Sequence, residues 1–580
     1  MLESIFKVIP LRRVPRKLEI LNYLLAPKSK EPQRGEIVKI VFGKKKISGV
    51  VWAKTRNSSG ISEAKLKSFE TEKNPQRFSN YQIALSEWLA ENTLAPLNVI
   101  FLALTHLDFK DFQPSLKSIS KPELILANRL STRENLIKIW SNKISSDESK
   151  TLVIVPTYAY AETWLKHPSS STVFLHAKLT QAQEKELLKK LPCAKLVVAT
   201  FKGLFYPLPK FGRVIVDQAD DEGFFAFDQM PRLDIRQIAR FIADLNNARL
   251  IFLARWPSPT ILAFNPRKPL RRLDNPLAIS LIDREKENFG ERKELISSRL
   301  LTKSLTGKNL WLISQKFEVA QYRCRDCQAI VSCPKCRLPL KLFVLNKKTV
   351  LICERDNLKI APPEKCENCQ GSNFSTFGFG PDRIVSILKK SFPNAKIALL
   401  QKTQDYKHLK TVKHLIATTA IANYPQARFD NVIILNPEIV LNSGEYRAKE
   451  KFVGLIFLAG QFLQASGSLF IQVSKSDILG VKIEKDFYEI SKNFLNERKT
   501  YHYPPFGCIV MLKPTGSFRK LTPPFEPEAL QILKLDFKVD QIENRIIIKS
   551  NAENKKNLLH FLRSNLKDPW SAWVNPPDFN

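Results

Sequence analysis

The sequence predicts a multidomain α/β protein. Two doubly wound parallel lobes form its centre, a double zinc-knuckle module is inserted in the second, and a β-rich N-terminal domain and a small α+β C-terminal domain flank them. At 580 residues the chain is longer than one hydrophobic core organises, so several domains are expected. From about residue 122, short apolar strands alternate with amphipathic helical stretches, the pattern of a parallel sheet with helical crossovers. Seven of the nine cysteines fall between Cys324 and Cys369 and interrupt that rhythm once.

The elements follow in order. Residues 1–75 contain "GEIVKIVFGKKKISGVVWAK", two apolar runs around a basic turn, which predicts a hairpin in a β-rich unit. In "YQIALSEWLAENTLAPLNVIFLAL" the apolar positions recur at helical spacing until Pro96, and a polar linker then runs to about 120. The first lobe, 121–300, carries the strands "LVIV" (152–155), "LVVAT" (196–200), "RVIVD" (213–217) and "RLIFLA" (249–254). The second, 301–475, carries "AKIALL", "HLIATT", "DNVIIL" and "SLFIQV", with the cysteine module at 322–372. The remainder, 476–580, holds the run "YHYPPFG".

With 91 Lys and Arg against 56 Asp and Glu, the net charge of +35 points to a polyanionic partner, foremost nucleic acid. A hydrophobic content of 44% excludes global disorder. No apolar run approaches the roughly 18 residues of a membrane span and the first residues lack a signal-peptide pattern, so a cytoplasmic protein is expected. In a reducing compartment clustered cysteines mean metal. Three CxxC pairs, Cys324/Cys327, Cys333/Cys336 and Cys366/Cys369, each aim two thiolates at one ion. "CERD" repeats the spacing with Cys353 and Asp356, and carboxylate oxygen is an acceptable zinc ligand. One or two Zn²⁺ are expected: Cys324, Cys327, Cys366 and Cys369 as an outer site, and Cys333, Cys336, Cys353 and Asp356 as an inner one, closed by a hairpin over 338–352. A vacant inner knuckle is the alternative. Filled four-ligand sites leave no position for substrate, so their role is structural.

This ligand array between lobes, followed by "GFGPDRIVSILKKSFPNAKI", "YRAKE" and "ERKTYHYPPFG", resembles the primosomal protein N′ (PriA) family of replication-restart helicases. The resemblance runs from "RGEIVKIVFGKKKISGVV" to the YPPF segment. It implies an N-terminal domain binding the 3′ end of DNA (1–75), a winged-helix region truncated here to 76–120, two RecA-like lobes, the zinc insertion and a C-terminal domain. It also implies partners: forked or single-stranded DNA and other primosome or replication proteins. A monomer that does not engage membrane is expected.

The ATP-contacting positions depart from the family. Its phosphate loop G-V-T-G-S-G-K-T falls on "ANRLSTRE", where Ala127, Leu130 and Thr132 replace flexible or smaller residues, Arg133 stands for lysine and Glu134 for the magnesium-binding threonine. The family's D-E-E-H becomes Asp217-Gln218-Ala219-Asp220, exchanging the water-polarising carboxylate for an amide. The coupling segment reads "ARWPS", and the arginine-finger segment "GQFLQ" offers Gln461 and Gln464. ATP and Mg²⁺ binding is therefore doubted, and Asp217 is expected to be vestigial. DNA-facing features are better kept. Asn22 and Tyr23 sit in the family's F-D-Y segment and Phe42 and Gly43 in its P-F-G segment, while Lys44, Lys45 and Lys46 form a candidate phosphate clamp. Phe224, Phe225 and Phe227 lie where the family has an aromatic-rich loop and are candidates for stacking on unpaired bases; plugging the lobe is the alternative. The leading expectation is a DNA-binding replication-restart factor with a silent helicase core. Its rivals are an active 3′-to-5′ helicase with divergent loops and a basic scaffold for RNA or other acidic partners.

Overall fold

The computed structural model describes residues 4–577 except 28, 56–65, 105–120, 168–170, 227–229, 268–270, 288–294, 304–305, 314–319, 328, 336, 346–347, 354–357, 378–380, 401–408, 410, 444, 475–485, 515–522 and 543–544. The chain divides into two compact units: one formed by 1–123, 139–252 and 496–577, the other by 124–138, 253–495 and 578–580.

The first unit opens with a five-stranded sheet of β1 (Ile5–Pro10), β2 (Leu21–Leu25), β3 (Ile37–Phe42), β4 (Lys45–Thr55) and β5 (Ser68–Phe69), in the order β3-β4-β1-β2-β5. Its core is Phe6, Val8, Tyr23, Val38, Ile40, Val51 and Phe69, alternate strand residues that meet on one face. The expected hairpin is β3–β4, with Phe42 opposite Lys45 and only Gly43-Lys44 between them. Gly43 takes φ +61, the left-handed value a two-residue turn requires at its first position, at no steric cost to glycine. Gly49 is also essential here, because a Cβ on it would lie 2.6 Å from Val8 Cγ1 and 2.9 Å from Ile40 Cδ1.

The helices α1 (Asn80–Thr93) and α2 (Leu97–Ala103) follow. Ser79 and Gln82 form a reciprocal capping box that fixes where α1 starts, and Leu94 with φ 57 ends it before Pro96. Tyr81 donates its hydroxyl to Leu204 O at 2.8 Å, and Gln82 donates to Phe205 O at 3.0 Å, joining α1 to the lobe.

In this unit the lobe is built from β7 (Thr151–Ile154), β8 (Thr172–Leu175), β9 (Leu196–Ala199), β10 (Arg213–Asp217) and most of β11 (Arg249–Ala254), numbered after β6 (Glu123–Leu126). They lie in the order β11-β10-β7-β9-β8, and β10, β7, β9 and β8 pair in parallel. The four strands read from sequence are present within a residue of their expected ends; β8, at the edge, adds to them. The third part is a four-stranded antiparallel sheet in the order Lys538–Ile542, Arg545–Asn551, Gly507–Pro514, Trp570–Val574, backed by helices Pro527–Asp536 and Lys555–Asn565.

In the second unit six strands pair in parallel, in the order Ile279–Asp283, Leu463–Val473, Phe429–Leu435, Asn309–Ile313, His414–Ala417, Ile397–Leu399. A separate five-stranded antiparallel sheet, from Ala320–Cys324 to Phe374–Phe377, carries the cysteines. Among the described residues no helix is long and apolar enough to cross a membrane.

Gly49→Ala should destabilise the N-terminal sheet by about 1–3 kcal/mol through overpacking. Urea denaturation followed by Trp52 fluorescence would show this as a lower midpoint with an unchanged slope.

Candidate DNA-binding and metal sites

The basic hairpin is the first site. Gly43, Lys44, Lys45 and Lys46 are all exposed, and the two-residue turn holds three consecutive ammonium groups at the rim of the sheet. Lys67 joins them by donating to Gly43 O at 2.7 Å. No local pattern marks Lys67, because it arrives from more than twenty residues away. Tyr23 is buried and its hydroxyl donates to Val41 O at 3.1 Å, while burial raises its pKa. It therefore supports the base of the hairpin with its phenol turned inward. Asn22 and Phe42 are half-buried on β2 and β3.

Phe224 and Phe225 do not form the expected stacking surface, and sit instead in the core, the alternative read from sequence. Phe224 is 0% exposed and Phe225 9%, and the Arg236 guanidinium lies over both rings at 5.7 and 4.6 Å. Arg236 is itself buried and bonded to Asp234 and to Ala219 O, so these rings and this cation form one packed core. A base cannot reach a ring enclosed in this way. Phe227 lies outside the described residues.

At the end of β10, Asp217 is fully buried and accepts the Trp164 indole N–H at 2.7 Å. Gln218 is buried with φ 56, a left-handed backbone that an L side chain seldom adopts, and its Oε1 has no hydrogen-bond partner among the described residues.

The segment matched to a phosphate loop leads into α3 (Leu130–Ser146), and its first turn is filled from within the chain. Asp274 accepts the Arg129 backbone N–H at 3.0 Å and also bonds the Thr132 hydroxyl. Glu134 pairs with Arg428 at 3.3 Å, Arg129 donates to Ala465 O at 3.1 Å, and Leu130 N–H points to Gln461 O at 3.4 Å. Ala127 and Arg133 are buried. Gln461 is buried and Gln464 exposed. The cavity beside Asp274, lined by Asn128, Arg255 and Leu277 among others, is about 40 Å³, room for a few waters at most. Sequence reasoning missed Asp274 because it lies 142 residues from Thr132.

The third site is the outer cysteine set. The sulfurs of Cys324, Cys327, Cys366 and Cys369 lie within 4.8 Å of one another, with Cys324–Cys369 and Cys327–Cys366 both at 3.6 Å. A tetrahedral ion with bonds of about 2.3 Å sets its sulfurs roughly 3.8 Å apart, so the set fits zinc. The Ala329 amide, aided by the Asn368 side chain, holds the Cys327 thiol down to about 6. At Cys369 the Gly371 amide also lowers the pKa, but the neighbouring thiols outweigh it and push the group up to about 12. The opposition is electrostatic: one thiolate suppresses the next, and a dication removes the conflict by displacing the protons.

Half of the inner set, Cys336 and Asp356, lies outside the described residues. Cys333 and Cys353 are buried. Their backbones repeat the outer knuckles. Cys324 N–H bonds Ala329 O, Cys333 bonds Leu338 O, Cys353 bonds Leu358 O and Cys366 bonds Gly371 O, each five residues on and between 2.7 and 2.9 Å. Arg337 and Gln370, four residues after Cys333 and Cys366, both adopt left-handed φ, 61 and 62.

Residues 13–105 match the 3′ DNA-binding domain (3′BD) of PriA, a span that takes in the basic hairpin and both α1 and α2. Along its length the chain is 25% identical to the replication restart protein PriA of Helicobacter pylori strain J99, covering 94% of this chain and 96% of that protein. The chain is thus similar to PriA along most of its length. The PriA of H. pylori strain 26695 is 25% identical over 85% of the chain and 86% of its own length. That of Borreliella burgdorferi is also 25% identical, over 55% of the chain and 51% of its own length.

Replacing Asp274 with Ala should cost about 1 kcal/mol, because Arg129 N–H and the Thr132 hydroxyl lose their common acceptor at a helix start. Asn at this position should restore most of the loss, and chemical denaturation of the two variants would measure the difference.

Proposed function

We propose that this chain is a DNA-binding replication-restart protein whose helicase core, two RecA-like lobes, does not turn over ATP. The observation that carries the DNA-binding reading is the exposed lysine hairpin inside the segment matching a 3′ DNA-binding domain. Lys44, Lys45 and Lys46 clamp backbone phosphates of a forked or single-stranded end, and this contact is independent of sequence. Asn22, where the family has aspartate, faces the terminal nucleotide. The protein acts as a monomer alongside other replication proteins.

The silent core rests on charge. A helix N-terminus attracts phosphate because its N–H groups are unsatisfied. Here Asp274 satisfies part of that demand and adds a negative charge that repels a triphosphate. Glu134 is a second carboxylate in the same turn. Without the water-polarising carboxylate or an arginine finger, a barrier contribution of about 4–7 kcal/mol from the finger alone is gone.

The zinc module holds two ions, the inner one bound by Cys333, Cys336, Cys353 and Asp356. The shared knuckle backbone supports this reading, since Cys353 closes the same amide bond as the three cysteines that begin CxxC pairs. Metal analysis should give two zincs per chain, with Asp356→Ala lowering the count to one.

ATP turnover should stay at background with and without forked DNA, while anisotropy shows tight fork binding that weakens steeply with salt. Lys45→Ala with Lys46→Ala should lower the slope of log K against log salt by about two. DNA-stimulated hydrolysis would overturn the silent-core reading, and salt-insensitive binding would overturn the phosphate clamp.

A further inference from the structure

In the six-stranded parallel sheet of the second unit, Asn309, His414 and Ile397 stand in register on three neighbouring strands. The residues just before them are Lys308, Lys413 and Lys396. Backbone bonds carry the ladder one step further to these lysines: Asn309 N–H bonds Lys413 O at 2.8 Å, and Lys413 N–H bonds Lys396 O at 2.9 Å. Side chains alternate along a strand, so all three lysines leave the sheet on the face opposite to Asn309, His414 and Ile397. Strands lie about 4.8 Å apart, which sets three cationic stems in a row at the amino-terminal rim. Like charges directly opposite one another destabilise a sheet. Lys308 and Lys396 are exposed and Lys413 is half-buried. Asp430, next along the row, accepts the Lys308 backbone N–H at 2.7 Å and balances that end only. Among the described residues no ion pair involves Lys413 or Lys396.

The parallel sheet of the first unit has the same positions, and there the charge is absorbed. Thr151 N–H bonds Lys195 O at 2.9 Å and Lys195 N–H bonds Ser171 O at 3.0 Å, so Lys150, Lys195 and Ser171 correspond to Lys308, Lys413 and Lys396. The Lys195 ammonium donates to Asp147 O at 2.8 Å and to Glu148 O at 3.2 Å, and that of Lys150 donates to Pro192 O. Arg213 on the next strand pairs with Asp147 at 2.7 Å. The second sheet instead adds a third cation where the first has serine, and leaves its edge uncompensated. The nearby rings of Trp311, Phe392 and His414 are buried, so no base can stack on them. A row of cations without a stacking surface suits a partner read through its phosphates alone. Duplex DNA, with one charge per roughly 1.7 Å of axis and its bases already paired, is that partner.

We propose that Lys308, Lys413 and Lys396 form a rest for the phosphate backbone of duplex DNA at the amino-terminal rim of the second unit's parallel sheet. The site deepens the DNA-binding reading above, on which it rests, but needs neither a strand end nor an unpaired base.

The test uses the full chain and a DNA dumbbell, a duplex closed by a loop at each end and so without a 3′ end, with anisotropy read across a salt series. Lys413→Gln combined with Lys396→Gln should lower the slope of log K against log salt by about two on the dumbbell. The same variant should bind a closed circle of single-stranded DNA as wild type does. Lys413→Arg with Lys396→Arg keeps both charges and should keep the slope, which separates charge from packing. An unchanged slope in the glutamine pair, an equal loss in the arginine pair, or no binding of the dumbbell by wild type would overturn the row and leave the hairpin standing. An equal loss on the single-stranded circle would overturn the duplex as its occupant. A larger loss on an RNA dumbbell of the same length would assign the row to RNA and overturn DNA. A fork with a free 3′ end, read against the Lys45/Lys46 variant, reports on the hairpin separately, and wild type that binds neither fork nor dumbbell would overturn the DNA-binding reading itself.

Discussion

The demand of a helix N-terminus for negative charge organises the second unit. The first turn of α3 presents N–H groups that no intrahelical carbonyl can satisfy. In a nucleotide-binding protein the ligand meets that demand and leaves after each cycle. Here Asp274 accepts the Arg129 N–H and Gln461 O the Leu130 N–H, and Glu134–Arg428 and Arg129–Ala465 tie the same turn to segments more than 290 residues away in sequence. The result is a fixed joint, with the ordinary energetics of a capped helix.

Packing from within the chain also fixes the end of β10. Asp217 keeps its place on the strand but is bonded to Trp164, and the aromatic segment behind it is gathered under Arg236. Polar groups buried this deeply persist only when bonded, Arg236 by its ion pair with Asp234 and Asp217 by the Trp164 N–H. Such pairing favours one arrangement of the lobe. The lysine hairpin, by contrast, stays exposed, and its charge suits a polyanion.

Much of this was legible in the sequence. Strand–helix alternation gave the parallel sheets because buried strands leave continuous apolar runs, and the outer cysteine set followed from spacing because a knuckle is a local structure. What escaped depends on contacts between distant residues. "DEGFF" looks the same whether its rings face solvent or core, and only the arrival of Arg236 from the next helix decides it. "TVFL" is too short for its alternation to announce a strand, and nothing near Asp274 marks it as a cap. Inner metal ligands were read from a broken CxxC pattern, and the backbone of Cys353 supports that reading only as far as the described residues extend.

The first unit contains both the earliest and the latest segments of the chain. Arg16 N–H bonds the Asp568 carboxylate at 2.9 Å, across 552 positions, and Leu94 packs in the core of the C-terminal sheet. During synthesis Arg16 and Leu94 must therefore wait for residues about 400 to 550 positions later before their contacts are made. Apolar faces meant for those contacts stay exposed on the ribosome throughout translation of the second unit, the interval in which nascent chains aggregate or engage chaperones. A ribosome that stops short of Asp568 would release a chain with the lysine hairpin and its own core in place and the core around Leu94 unfinished.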